Sequence, residues 1–97
     1  MDLNKSIRLA VDSGSVMLGV EKALKNAANN SAKVIVFVKT CPRMQDLKYY
    51  SELSGVPLIE FNGSSVELGA VCGKPFSVSA LSVIEEGDSD ILSVVTK

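Results

Sequence analysis

Five consecutive apolar residues, Val34 to Val38, lie between two lysines in the stretch "KVIVFVK". Mostly β-branched side chains in an unbroken run favour extended backbone, and successive side chains of a strand point to opposite faces. Both faces of this strand are therefore apolar and need cover, which places it inside a sheet with helices on either side. At 97 residues and 46% apolar content the chain is large enough to build those layers. A domain of this size buries roughly two thirds of its unfolded surface and needs no staples. Charged residues, at 22%, are too few for a disordered polyampholyte.

The flanking segments alternate helix and strand patterns. Asp2 can cap a helix with Leu3, Ile7, Ala10 and Val11 on one face, stopped by Gly14. Ser15–Leu18 reads as a short strand. A second helix from Gly19 to about Asn30 is expected to bury Val20, Ala23, Leu24, Ala27 and Ala28, leaving Lys22, Lys25, Asn26 and Asn29 outside. Pro42 suits the first turn of a third helix, Arg43 to Ser54, with Met44, Leu47, Tyr50 and Leu53 inward. "VPLIEF" is another strand. Ser64 and Glu67 form a potential capping box for a fourth helix that buries Val66, Ala70 and Val71 and closes at Gly73. A strand over Ser77–Ile84 follows. Asp88 or Ser89 then caps a last helix carrying Ile91, Leu92 and Val95. This order predicts one α/β domain over residues 1–97, with a small, mostly four-stranded mixed sheet covered on both faces.

Composition narrows the chemistry. With no histidine, a His-based triad or His-ligated metal site is impossible. A net charge of −1 argues against coating nucleic acid by bulk electrostatics, but not against a small site that reads shape and a few phosphates. No apolar run approaches the ~20 residues of a membrane span, and the N-terminus lacks a signal-peptide pattern. The expected setting is cytoplasmic, with no membrane association and with Cys41 and Cys72 as reduced thiols. Neither a catalytic constellation nor a bound metal or cofactor is expected.

Ligands of such sheets gather at loops beyond strand ends. Three loops qualify: Leu18 into Gly19–Lys25, Lys39 into Thr40–Pro42, and Gly73 into Val78. The third holds Lys74, Pro75 and Phe76, where an ordinary turn would be polar. From the residues alone, Phe76 is either an early core residue or a stacking surface, and Lys22 with Lys25 is either a solvated face or a phosphate contact. Cys41, after a buried strand and before a helix, resembles the monothiol segment of glutaredoxins, although Met44 occupies the second cysteine's place.

Longer segments carry a fuller resemblance. "YYSELSGVPLIEFNGSSVELGAVCGKPFSVSAL" (49–81), "GDSDIL" (87–92) and "DLNKSIRLAVDSGSVMLG" (2–19), with "KVIVFV" between them, resemble the archaeal and eukaryotic large-subunit ribosomal protein family L-thirty-e, of the kink-turn RNA-binding superfamily. That resemblance implies an α/β/α sandwich that binds large-subunit ribosomal RNA, sits beside neighbouring ribosomal proteins, is a monomer when free and has no enzymatic activity. The implied RNA-binding positions are Gly19, Glu21, Lys22, Lys25, Thr40, Lys74, Phe76 and Val78. Two of them depart from the family pattern. Glu21 replaces a small or basic residue, and Thr40 replaces an asparagine, offering one hydroxyl in place of a two-headed amide. The remaining alternatives are a relative that acts in another ribonucleoprotein or as a peptide-binding interaction domain, which Glu21 and Thr40 motivate, and a monothiol redox enzyme using Cys41.

Overall fold

The computed structural model describes residues 3–41, 43–85 and 87. The capping role expected of Asp2, the placement of Pro42 and the helix expected after Asp88 lie outside them. Eight elements follow in order: α1 (Leu3–Ser13), β1 (Ser15–Leu18), α2 (Val20–Asn29), β2 (Val34–Val38), α3 (Met44–Ser54), β3 (Leu58–Phe61), α4 (Ser65–Val71) and β4 (Ala80–Glu85).

The strands form one mixed sheet in the order β1-β4-β2-β3. β4 runs antiparallel to both β1 and β2, while β2 and β3 are parallel. All five residues of β2 are buried, as its unbroken apolar run requires. β4 is the second interior strand, and Ala80 to Val83 are all buried. It begins later than the sequence pattern suggested, because residues 77–79 belong to the loop that enters it. Helices α2 and α3 pack together over one face, and α1 and α4 pack together over the other. The result is the expected three-layer α/β/α sandwich.

Three helical stripes differ from the simple apolar count. On α2, Asn26 is buried and Ala28 exposed. The Asn26 amide donates to Ser82 Oγ at 2.7 Å and to Met17 Sδ at 3.4 Å, and Ser82 Oγ donates to the Met17 carbonyl at 3.3 Å. This buried polar cluster ties α2 to β1 and β4. On α3 the inward stripe runs through Met44, Leu47 and Ser51, so Leu53, two positions beyond Ser51, turns outward and is 68% exposed. On α4 the inward stripe is Leu68, Gly69 and Cys72, and Val66 and Ala70 face solvent while Val71 is half-buried. A glycine and a cysteine in that stripe disguise it. The Ser64–Glu67 capping box is present: Glu67 N–H donates to Ser64 Oγ at 3.2 Å, and Ser64 N–H donates to Glu67 Oε1 at 3.1 Å.

Candidate nucleic-acid interface

Antiparallel pairing of β4 sets its first residues beside the last residues of β1 and β2: Leu18 pairs with Leu81, and Phe37 with Ala80. All three loops singled out in the sequence therefore leave the same end of the sheet. Backbone hydrogen bonds join them. Gly19 N–H donates to the Ala80 carbonyl at 2.9 Å, and Val38 N–H donates to the Ser79 carbonyl at 3.0 Å. A cleft of about 230 Å³ lies between Leu18–Val20 and Phe76–Ser79.

Gly19 precedes α2 at φ 117°, a backbone conformation L-residues rarely adopt, and nothing lies within 4 Å of where a Cβ would stand. Conformation, not crowding, selects glycine here, and the same open space lets a ligand approach the backbone. Glu21, Lys22 and Lys25 on α2 are exposed, and among the described residues none forms an ion pair. Thr40 is exposed at the second loop.

Phe76 is 55% exposed, which answers the question its position raised: the ring is not core. Its neighbour Val78 is the core residue, at 2% exposure, and offers a ligand only the wall of the cleft. The loop is clamped onto α4. Lys74 N–H donates to the Gly69 carbonyl at 3.0 Å, and Val78 N–H donates to the Ser65 carbonyl at 2.9 Å. The Phe76 carbonyl packs so closely over Gly69 that a Cβ there would overlap its oxygen. Lys74 is exposed in the same loop.

Three residues that sequence reasoning passed over join this rim. Gly69 positions the Phe76 loop by lacking a side chain. Arg8 of α1 reaches Gly73, where a Cβ would stand 2.9 Å from Nη1, and its Nε pairs with Asp12 at 2.9 Å. Arg43, between the second loop and α3, adopts the left-handed conformation at φ 60° and pairs with Asp46 at 3.3 Å. A positive φ at a non-glycine residue is costly and concentrates where loops are held for a purpose. No sequence signal marks Arg8 or Arg43, because their placement depends on which loops meet.

The thiol alternative loses its chemical basis. Cys41 is buried, and burial pushes its pKa up, the opposite of an activated thiolate. Burial also raises the Cys72 thiol, against the opposing charges of Lys74 and Arg8. Among the described residues, no three acidic or cysteine side chains cluster as a metal site would need.

Comparison with known proteins places the chain in a family. Residues 1–93 match the model of the Ribosomal protein L7Ae/L30e/S12e/Gadd45 family. The chain is 46% identical over its full length to the large ribosomal subunit protein eL30 of Methanocaldococcus jannaschii, covering 90% of that protein. It is 45% identical to eL30 of Methanococcus maripaludis strain C7, over 97% of this chain and 91% of that one. Identity to eL30 of Methanothermobacter thermautotrophicus is 42%, over 98% and 99% of the two chains. With a family model matching residues 1–93 and relatives 42–46% identical over nearly its whole length, the chain belongs to the Ribosomal protein L7Ae/L30e/S12e/Gadd45 family.

Proposed function

We propose that this chain is a structural constituent of the large ribosomal subunit and binds a kink-turn-like element of its ribosomal RNA. The contacts come from Gly19–Lys25, the loop around Thr40, and Lys74–Phe76. The observation that carries the reading is the meeting of three loops at one end of the sheet, with the Phe76 ring exposed among them. A sharp kink in RNA presents a wide minor groove and unstacked bases, the features through which proteins read RNA. An exposed aromatic ring stacks on such a base with a worth of roughly 1–3 kcal/mol. Lys22, Lys25 and Lys74 supply the few cations that phosphates require, so a near-neutral chain suffices.

Binding of a kink-turn RNA by the wild-type chain and by Phe76→Ala tests this reading. The expected result is weaker binding, roughly 5- to 150-fold for that stacking energy, with little change in thermal stability. Wild-type affinity in a folded Phe76→Ala protein would remove the ring from the interface. Glu21, exposed in the first turn of α2, and Thr40, exposed at the second loop, favour a related role in another ribonucleoprotein. Co-sedimentation with large subunits from a lysate separates the two.

A further inference from the structure

The loop that presents Phe76 folds back along α4. Val78 N–H meets the Ser65 carbonyl at the start of the helix, and the Phe76 carbonyl lies over Gly69. Gly73, with φ 75°, turns the chain back just past the C-terminal cap Cys72. Four residues separate Gly69 from Gly73, so Gly73 stands roughly 6 Å farther along the helix axis than the point where Phe76 crosses. α1 packs beside α4, and Arg8 of α1 reaches this end of the loop. A Cβ at position 73 would stand 2.9 Å from Arg8 Nη1 and 3.3 Å from Nη2, so both arms of the guanidinium lie against the bare glycine.

The guanidinium is oriented but largely unused. Its Nε donates to Asp12 Oδ2 at 2.9 Å, and its Nη groups make no hydrogen bond among the described residues. Both side chains of that pair are more than half exposed, so the contact directs the fork while doing little to neutralise it. Lys74 is exposed next to Gly73, and Lys5 is exposed one turn before Arg8 on α1; neither forms an ion pair among the described residues. Burial pushes the Cys72 thiol up, and the charges of Lys74 and Arg8 both act against it, so the two cations neighbour one buried group. Lys5, Arg8 and Lys74 thus stand against the single carboxylate of Asp12. Like charges so placed repel one another, and a bound anion relieves that repulsion. The planar fork of arginine matches a phosphate, offering two parallel N–H bonds at once.

We infer that Arg8 grips a backbone phosphate of the RNA, with Lys74 beside it, so that the bound strand runs past Phe76 and on along the flank of α1 and α4. This rests on the RNA reading above and extends the contact surface beyond the three loops at the sheet end. Gly73 admits the fork by having no side chain. Asp12 is a positioning residue, touching Arg8 and not the phosphate.

The test uses the full chain and a kink-turn RNA whose stem continues past the kink. Phenylglyoxal, which modifies exposed arginine, is applied with and without the RNA, and peptide masses read the modification at Arg8. Arg8 is expected to react at least about fivefold more slowly in the complex. Arg8→Gln should lower the salt slope of binding by about one unit. Arg8→Lys should keep that slope, because the charge stays, yet bind several-fold more weakly for want of the fork. Should Arg8→Gln not fold, protection of the wild-type chain decides the matter. Equal reactivity of Arg8 in the free chain and in the complex overturns the inference, as does an unchanged slope in folded Arg8→Gln. Equal protection by inorganic phosphate at the same phosphate concentration also overturns it, since that marks a small-anion contact only. A wild-type chain that binds the RNA with Arg8 unprotected sinks this site alone. One that binds no kink-turn RNA sinks the functional reading as well.

Discussion

Gly69→Ala puts the largest structural claim about the Phe76 loop at risk. Alanine is the better helix former, by about 1 kcal/mol in an exposed helix. In this fold its Cβ would overlap the Phe76 carbonyl oxygen and lie 3.1 Å from the Phe76 carbonyl carbon and 3.3 Å from Ser77 Cα. Carbon atoms in good contact are separated by roughly 3.5–4.0 Å, so backbone must move, not the tip of a flexible side chain. The loop has to lift from α4. That strains the hydrogen bond from Lys74 N–H to Gly69, worth about 0.5–1.5 kcal/mol. Overpacking adds about 1–3 kcal/mol. Set against the helical gain, the expected net destabilisation is about 0.5–3.5 kcal/mol, read by denaturant or thermal unfolding. The sharper readout is binding, because Phe76 rides on the segment that moves. Kink-turn affinity is expected to fall several-fold at fixed salt. The double variant Gly69→Ala/Phe76→Ala should bind no more weakly than Phe76→Ala alone, since both act through one ring. Wild-type affinity together with raised stability in Gly69→Ala would refute both the close approach and the role of the loop.

Other perturbations reach different parts of the argument. Lys25→Ala should reduce the salt slope of RNA binding by about one unit, and an unchanged slope would take Lys25 out of the phosphate set. Asn26→Ala removes a buried donor to Ser82 Oγ and is expected to cost about 1–3 kcal/mol of stability in a denaturant titration; a neutral outcome would show the cluster is dispensable. Stability should also fall in alkali. The unfolded chain's thiols ionise near ~8.5, whereas burial holds the folded Cys41 and Cys72 thiols higher. The unfolded state therefore binds fewer protons as pH rises through that range, and the slope of unfolding free energy with pH is negative. Comparing melting temperatures from pH 8 to 10 in the wild type and in Cys41→Ala/Cys72→Ala should show a shallower decline in the variant, and identical declines would assign the effect to other groups.

The legible parts of this protein were those with a local cause. The run Val34–Val38 specified an interior strand, the capping box specified where α4 begins, and Gly19 marked the turn into α2. Inward faces were harder wherever a polar or small residue occupied the stripe. Asn26, Ser51 and Gly69 all face inward, and each is read as outward or neutral by hydropathy alone. Of the candidate site, the three loops and the exposed cations were recognisable, whereas Arg8, Arg43 and Gly69 were not.

By itself the sequence determined the α/β class, the interior strand and the chemistry available: no histidine, few charges, one aromatic in a lysine-bearing loop. These are properties of composition and of periodicity over a few residues. Only the tertiary structure decided that Phe76 is exposed while Val78 is buried, and that the loops after β1, β2 and α4 share one rim. That outcome depends on β4 inserting antiparallel between β1 and β2, a pairing between residues more than 40 positions apart. No local pattern encodes it, because it is the burial of two sheet faces at once that selects the strand order.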